Sequence, residues 1–431
     1  KNDTKTEYKY NIVIKDLVNT FVTNGYLQYK ITSTNDGYNM TEFKDIPKSS
    51  IATDTILAYS VVIPNGVTQS YTIEFKYAND ESIDQSDDMG KKLSGTLFIT
   101  EGTEDPNKTL YNQLLVDKST KLTRTDFSKV LTDNNTKTLY TSTEDSKTVY
   151  YFAGNATDNW VKFGKNASNQ DLYWRIIRTN SDGSVRLLYH GTSTTATDAV
   201  INTSTAFNST YNNPMYVGYM YGTSGSLVNN RTNTNNSTIK GIIDTWYASN
   251  LEAKGYTKYL STTAVYCNDR SVTNGTYSTS SSFKYAAYTR LVINKTPSYD
   301  CAATEDKFTA DTSTGNGKLK YPIALMTADE VSFAGGLYGT NAPTWYYYNS
   351  ANGSSTGSTW WWLLSPFDWR GGYAYVFRVY GSSNPGYLSD YYVIDAYGVR
   401  PVISLKSCTL YSTGNGSASD PYTIKETETG C

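Results

Sequence analysis

The sequence predicts a chain of two folded parts, an all-β N-terminal domain followed by a mixed α+β domain. Apolar and polar residues alternate with a period of two over much of residues 1–103, which is typical of half-buried strands. A polar, turn-forming junction follows at Glu101–Lys108. Beyond it, further strand-like runs surround one strong helical pattern at Ser237–Leu251. A length of 431 residues is sufficient for two or three domains.

The first domain, 1–103, contains five predicted strands separated by Asn-Gly, Asp-rich and Gly turns. These strands are Tyr8–Lys15, Tyr26–Ser33, Ala58–Ile63, Tyr71–Tyr77 and Ser94–Thr100. Short antiparallel strands with one buried face indicate a β-sandwich. Tyr71–Tyr77 together with Met89–Thr100 resembles the last two strands of camelysin-like, immunoglobulin-like sandwiches found on Gram-positive surfaces. That resemblance implies an exported protein.

Residues 104–146 are interpreted as a connector with short helices. Thr109–Lys118 has leucines on one helical face, and Asp126–Leu131 is the second predicted helix. We expect both to dock onto the domain that follows.

The second domain, 147–431, begins with predicted strands at Thr148–Ala153 and Trp160–Gly164. Two alternating runs, Leu172–Arg178 and Val185–His190, flank an Asp-Gly pair and predict a hairpin. The helix at Ser237–Leu251 has Ile and Trp at helical spacing, and Thr327–Ala334 begins with a capping-box pattern. We expect these two helices to pack around a small twisted antiparallel sheet.

Composition narrows the function classes. A formal charge of −2 lacks the basic excess that nucleic-acid binding needs. No apolar run approaches the ~20 residues of a transmembrane helix, and Lys1–Lys15 does not resemble a signal peptide. The chain holds 40 Tyr, a residue that gives binding surfaces a large contact area for few frozen torsions. Tyr also favours strands, so a tyrosine-rich sheet with no partner remains the alternative.

The four cysteines contain no C-x-x-C pair, and the single histidine, His190, does not complete a usual zinc site. Four cysteines allow three connectivities, and free buried thiols are a further alternative. For an exported chain the most economical disulfide is Cys267 with Cys301, which leaves Cys408 with Cys431. We expect no metal and no cofactor.

Two motifs near the C-terminus are the most informative. Thr359–Pro366 is a tryptophan-rich strand, and Gly398–Lys406 carries a Gly-Val-Arg-Pro sequence. In this order they resemble the C-terminal half of a C-type lectin fold. The branch they resemble is shared by formylglycine-generating-enzyme-like proteins and the target (variable) proteins of diversity-generating retroelements. Val149–Asn155 and Tyr173–Arg178 extend the resemblance back to about residue 147. It implies an α+β C-type lectin-like domain over 147–431, with a variable region at 367–397.

The variable region has a biased composition. Its 31 residues hold seven Tyr and no Lys, Glu, Gln or Met. Diversification in this family replaces template adenines. An Asn codon ending in a pyrimidine then yields residues such as Tyr, Ser, Asp, Gly and Arg, but none of those four. Trp369 also lies outside the accessible set and is therefore either fixed or from another codon.

Small or aliphatic residues recur through this region as predicted buried anchors, namely Ala374, Val376, Val379, Leu388 and Val393. Between them lie the predicted ligand-binding side chains, which we expect to be largely exposed side by side, as in a paratope. They are Trp369, Arg370, Tyr373, Tyr375, Phe377, Arg378, Tyr380, Ser382, Tyr387, Asp390, Tyr391, Tyr392, Asp395 and Tyr397. Arg400, between Val399 and Pro401, is interpreted as structural, with its guanidinium holding backbone carbonyls.

The sequence thus predicts a non-enzymatic binding protein, displayed on a cell surface, outside the cell or on a phage particle. Its partner would be an unidentified protein or glycan, and any attachment to the cell envelope would use segments outside this chain. A structural or adhesive surface protein without a diversified site is the first alternative. A formylglycine-type enzyme relic is the second, although residues 359–405 lack the reactive cysteine pair that this chemistry needs. His190 has no nucleophile motif beside it, and no sequence feature pairs Asp368, Asp390 or Asp395 for glycoside hydrolysis.

Overall fold

The structure is a computed structural model that describes residues 1–82, 84–103, 105, 108–196, 199–347, 360–381 and 384–431. Strands make up 39% of it and helices 14%, so the fold is mostly β, as the alternating patterns predict. The chain divides into two compact units, Lys1–Asn107 and Lys108–Cys431. Within the described ranges, no helix is long and apolar enough to span a membrane.

The first unit has two three-stranded antiparallel sheets that share one hydrophobic core. Its strands are β1 (Tyr8–Asn19), β2 (Leu27–Ser33), β3 (Lys44–Asp45), β4 (Ser49–Ile63), β5 (Tyr71–Tyr77) and β6 (Leu93–Glu101), with a 3₁₀ turn at Ser86–Asp88. One sheet has the order β4-β1-β6 and the other β3-β2-β5. Ile12 and Ile14 from β1 and Tyr29 and Ile31 from β2 meet in the core, because alternate residues of each strand point to the same side.

The second unit contains the remaining strands and the α-helices. The strands are β7 (Thr120–Thr123), β8 (Thr138–Glu144), β9 (Lys147–Tyr151), β10 (Trp160–Lys165), β11 (Asp171–Thr179), β12 (Val185–Gly191), β13 (Asn202–Ala206), β14 (Met220–Tyr221), β15 (Asn235–Asn236), β16 (Tyr266–Cys267), β17 (Val272–Asn274), β18 (Phe283–Tyr285), β19 (Lys307–Phe308), β20 (Ile323–Leu325), β21 (Leu337–Tyr338), β22 (Trp361–Arg370), β23 (Tyr373–Val379), β24 (Tyr387–Tyr392), β25 (Ala396–Val399), β26 (Pro401–Leu405), β27 (Tyr411–Thr413) and β28 (Tyr422–Ile424). The helices are α1 (Leu110–Asp117), α2 (Leu227–Asn230), α3 (Thr238–Tyr247), α4 (Ala286–Tyr288) and α5 (Ala328–Phe333), with 3₁₀ or π turns at Pro214–Val217, Ala248–Glu252, Tyr256–Tyr259, Thr289–Asn294 and Thr304–Asp306.

Two large sheets organise this unit. A ten-stranded sheet has the main order β20-β26-β12-β11-β10-β28-β27, with β9 and β8 joined through β11 and β7 paired with β8. An eight-stranded sheet has the main order β13-β25-β22-β23-β24-β21, with β18 and β17 added beside β22. The expectation of one small sheet is therefore wrong. Many of the strands have only two or three residues, which is too short for an alternation of apolar and polar residues to be recognised. The predicted hairpin is present as β11 and β12, paired antiparallel.

The helical predictions are partly confirmed. α3 begins after the N-cap Ser237 and buries Ile239, Ile243 and Tyr247, and the helical path continues as a π turn to Glu252. α5 has the predicted capping box between Thr327 and Glu330. The helix expected at Asp126–Leu131 is wrong.

That segment is instead a loop that surrounds the positively charged side chain of Arg124. The Arg124 guanidinium donates to the carbonyls of Asp126 and Lys129 at 3.0 and 2.7 Å, and the Asp126 carboxylate accepts from the Ser128 N–H. These bonds compete with helical hydrogen bonding. Of the predicted connector 104–146, residues 108–146 belong to the second compact unit, where β8 pairs with β9 at the sheet edge.

Four buried charges tie α5 to the ten-stranded sheet. Glu330 Oε1 accepts from Arg178 Nε at 2.9 Å and from Arg186 Nη1 at 2.7 Å. Arg178 Nη2 also donates to Glu144 at 2.8 Å. Despite burial, which favours the neutral acid, the arginines hold the pKa values of Glu144 and Glu330 below their usual range.

The second unit contains two disulfides, Cys267–Cys301 and Cys408–Cys431. The predicted pairing of Cys267 with Cys301 is present. Paired cysteines of this kind are typical of proteins in oxidising, extracellular-type environments.

Candidate functional site

The described residues of 367–397, the segment predicted to be variable, lie on the eight-stranded sheet, with β23 between β22 and β24. β22 and β23 form a hairpin whose turn residues, Gly371 and Gly372, have φ of +59° and +80°. Two consecutive positive φ values match the tight turns that follow the twist of paired strands. Trp369 therefore lies opposite Ala374, and Tyr375 lies opposite Tyr392.

The five predicted anchors are all buried. Ala374, Val376, Val379, Leu388 and Val393 have exposed fractions of 1% or less. They join the large core of the second unit, together with the tryptophans of β22. The prediction that these five side chains are buried is confirmed.

Nine aromatic side chains form a continuous series of ring contacts, which we call the aromatic strip. Its members are Tyr211, Trp360, Tyr373, Tyr375, Tyr380, Tyr387, Tyr391, Tyr392 and Tyr397. At one end Tyr211 stacks on Tyr373, with ring centroids 4.7 Å apart and planes within 10°. At the other end Trp360 stacks on Tyr397 and contacts Tyr380 at 4.1 Å.

The strip has two halves that meet at neighbouring residues. Tyr391 and Tyr392 leave β24 on opposite sides, as successive strand residues do, yet their rings are 5.0 Å apart. Tyr392 continues to Tyr373 and Tyr375, and Tyr391 continues to Tyr397. The side chains expected to lie side by side thus form two aromatic groups that are joined at the end of β24.

Exposure along the region varies. Tyr373 is the most exposed of the predicted binding residues, at 37%. Half-buried positions are Arg370, Tyr380, Tyr387, Asp390, Tyr391, Tyr392, Asp395 and Tyr397. Ser382 lies outside the described residues.

Four predicted binding residues are buried, so their expected exposure is wrong. Trp369, Tyr375, Phe377 and Arg378 have exposed fractions of 7% or less. Both sides of β23 are covered, which a simple alternation rule does not anticipate. Phe377 packs at 4.9 Å from Phe367, which itself stacks on Tyr338. Trp369 is covered where β18 pairs with β22.

Arg378 lies inside the second half of the strip. Its guanidinium carbon is 4.1 Å from the ring centres of Trp360 and Tyr391 and 4.4 Å from that of Tyr397. Burial lowers the pKa of Arg378, although the neighbouring tyrosines favour its charge. Cation–π attraction of this kind stabilises ring positions, so Arg378 acts as an internal support of the strip.

Arg370 supports the other half. Its guanidinium lies 3.8 Å from the Tyr375 ring centre and donates to Asp368 and Asp390, each at 2.6 Å. Lys284 pairs with Asp368, and the Tyr338 hydroxyl donates to Asp390 at 2.6 Å. Two cations thus balance two carboxylates. Burial raises the pKa of Asp368, while Lys284 and Arg370 partly oppose that effect.

Sequence reasoning missed four residues of the site, Tyr211, Lys284, Tyr338 and Trp360. Trp360 directly precedes β22, and the tryptophan-rich motif could have been used to predict that it lies beside 367–397. The other three come from distant loops and strands, and their sequence surroundings carry no signal.

His190, which was weighed as a catalytic base, and Arg400, which was expected to be structural, are both buried. His190 is fully buried and lies edge-on to Trp160, with centroids 4.4 Å apart. Arg400 donates from Nε and Nη2 to the Tyr189 carbonyl at 3.3 and 3.2 Å, the carbonyl-holding role expected for it. Within the described ranges, no three His, Cys, Asp or Glu side chains gather where a metal ion could bind.

The site therefore offers aromatic rings with polar tips, flanked by a charge-balanced cluster. Such surfaces bind partners by ring stacking and by hydroxyl hydrogen bonds. Comparison with known proteins gives no match to the chain among family models, curated proteins or solved structures.

Proposed function

We propose that this is a ligand-binding protein displayed on a cell surface, outside the cell or on a phage particle. In this proposal the second unit is a C-type lectin-like domain, the first is an immunoglobulin-like sandwich, and 367–397 is a retroelement-diversified binding site. The observation that carries the proposal is the aromatic strip, a set of mostly half-buried rings beside five buried anchors. Two disulfides favour an extracellular location.

One set of residues holds the strands together, and another set forms the surface. Anchors such as Val376 and Leu388 are buried in the core and hold the strands. Rings such as Tyr373 and Tyr392 contact other rings and solvent, so changes there alter the surface with little effect on the core. A binding site whose surface residues vary needs other, buried residues to stabilise the fold.

Diversification is tested by the DNA around the gene. We expect a reverse transcriptase gene and a near-copy of the segment encoding 367–397, differing mainly at adenines. The codons of Tyr373, Tyr391 and Tyr392 should differ between the copies, and those of Val376 and Leu388 should not. A neighbourhood with neither feature would favour the structural or adhesive alternative.

Binding is tested with a glycan array and a peptide array as probes. The double substitution Tyr373→Ser and Tyr392→Ser should weaken any specific signal by roughly 30-fold or more, as loss of hot-spot residues does. Ile394→Ser is the matched control, because Ile394 is 39% exposed and lies in the same region outside the ring contacts. Equal loss in both variants, or no loss in the double variant, would contradict a site on the strip.

A further inference from the structure

One outer strand of the first unit's larger sheet is β6. Among the described residues, β6 pairs only with β1. Gly102 N–H donates to the Lys9 carbonyl and Thr20 N–H donates to the Lys92 carbonyl, so even-numbered residues face β1. In an antiparallel ladder the alternate residues face the other way. The N–H and C=O groups of Gly95, Leu97 and Ile99 therefore point away from β1.

This edge is also apolar. Leu97, Phe98 and Ile99 are consecutive and have exposed fractions of 48%, 46% and 56%. Natural edge strands are usually short, charged or covered, because an open edge pairs with another strand. β6 has nine residues and none of these protections in its centre.

An apolar cleft lies along the core side of β6. It has a volume of about 290 Å³, and Leu93 and Leu97 line it from β6 while Ile73 and Phe75 line it from β5. Phe75 is 54% exposed. A Cβ at Gly95 would be 2.4 Å from Ile14 Cγ2, which shows that odd-numbered β6 residues point to this core side. A strand added beside β6 would place its own alternate side chains over the cleft.

We propose that the added strand is β6 of a second copy of this chain, antiparallel, with the two-fold axis at Thr96. Facing edges require odd residues to lie opposite odd residues, which limits the symmetric registers to a few. With the axis at Thr96, Lys91, two residues before the start of β6, comes opposite the partner's Glu101, and this pair occurs twice. Leu93 lies opposite the partner's Ile99, and Gly95 lies opposite the partner's Leu97.

The neighbouring registers lack this complementarity. An axis at Leu97 places Leu93 opposite the partner's Glu101, and an axis at Gly95 places Lys91 opposite the partner's Ile99. Opposite charges directly across a strand pair are favourable, whereas a charge facing an aliphatic side chain gains nothing. The Thr96 register also sets the partner's Leu97 at the position where Gly95 has no side chain, next to the cleft.

The dimer has a consequence for binding. Each assembly carries two copies of the aromatic strip, so a ligand with repeated epitopes gains avidity without any new contact. The dimer itself does not depend on what the strip binds.

Single-cysteine variants of the full chain test the register. The four native cysteines are paired, so an introduced thiol is the only free one. Across a non-hydrogen-bonded pair the two Thr96 Cα atoms would be ~4.5 Å apart, within the range of a disulfide. Thr100→Cys is the matched control on the same side of β6, because its two copies would be ~27 Å apart. We expect Thr96→Cys to form a covalent dimer under mild oxidation and Thr100→Cys to remain monomeric.

Equal crosslinking of both variants, or crosslinking of neither, would overturn the proposal. Faster crosslinking of Leu97→Cys than of Thr96→Cys would overturn the register.

Charge exchange gives a second test by sedimentation over roughly 1–100 µM protein. Lys91→Glu should weaken self-association at least ~5-fold at low salt, because both pairs become repulsive. Adding Glu101→Lys to that variant should restore it. A wild-type chain that stays monomeric throughout, or a double variant as weak as the single one, would overturn the proposal.

Discussion

Leu388 and Tyr387 are neighbours in β24, and we expect their substitution by alanine to have very different effects on stability. Leu388 is an anchor with an exposed fraction of 1%. Leu388→Ala removes a buried side chain and leaves a cavity, which costs about 2–5 kcal/mol of unfolding free energy. With about 2.1 cal/mol/K of unfolding entropy per residue, a unit as long as Lys108–Cys431 loses ~1.5 °C per kcal/mol, so Tm should fall by roughly 3–7 °C.

Tyr387→Ala is the matched control. Tyr387 is half-buried, and its ring contact in the strip is with Tyr380 at 4.9 Å. Losing one aromatic pair costs up to about 1.5 kcal/mol, so Tm should change by a few degrees at most. Differential scanning calorimetry of both variants is the assay. Equal losses of Tm, or a larger loss for Tyr387→Ala, would refute the division between anchors and strip.

Further predictions concern the buried charges and the disulfide. Glu330→Gln should lower the free energy of unfolding by about 3–5 kcal/mol, because Arg178 and Arg186 lose their shared carboxylate in a buried site. A loss of under ~1 kcal/mol in urea unfolding would contradict this. The folded-state pKa values of Glu144 and Glu330 are below the usual 4.5. Their contribution is therefore fully present above about pH 4.5 and is lost as pH falls through the folded values. A calorimetric Tm that is flat in pH below 5 for wild type, or that falls as steeply in Glu330→Gln, would argue against it. Cys267→Ser with Cys301→Ser should cost about 2–5 kcal/mol and should increase hydrogen exchange around Cys267 more than in β11 and β12; uniform exchange changes would contradict this.

Local chemistry made several elements readable from the sequence. The Asp-Gly turn between β11 and β12 specifies its own hairpin, and Thr327 with Glu330 specifies the start of α5, because these signals act within a few residues. The anchors could be predicted because small and aliphatic residues recur among the aromatic and polar residues of 367–397, although Val379 breaks the period of two that Ala374 and Val376 begin.

The remaining features depend on contacts between distant residues. Tyr375 and Phe377 alternate like exposed residues, but Arg370 and Tyr338 cover them from other strands. Arg124 converts a helix-like segment into a loop through bonds to Asp126 and Lys129. Tyr211 joins the strip by stacking on Tyr373, more than 150 residues away. Such contacts leave no periodic trace in the sequence.

If the aromatic strip is a variable binding surface, its residues can be substituted without unfolding the strands that the anchors hold. Two displayed libraries of the full chain test it most directly. One randomises Tyr373, Tyr391, Tyr392 and Tyr397, and the other randomises Ala374, Val376, Leu388 and Val393. The measurement is the fraction of each library that resists protease on the display surface. We predict that most strip variants stay folded and that most anchor variants do not. Equal protease resistance in the two libraries, or greater loss in the strip library, would contradict the claim.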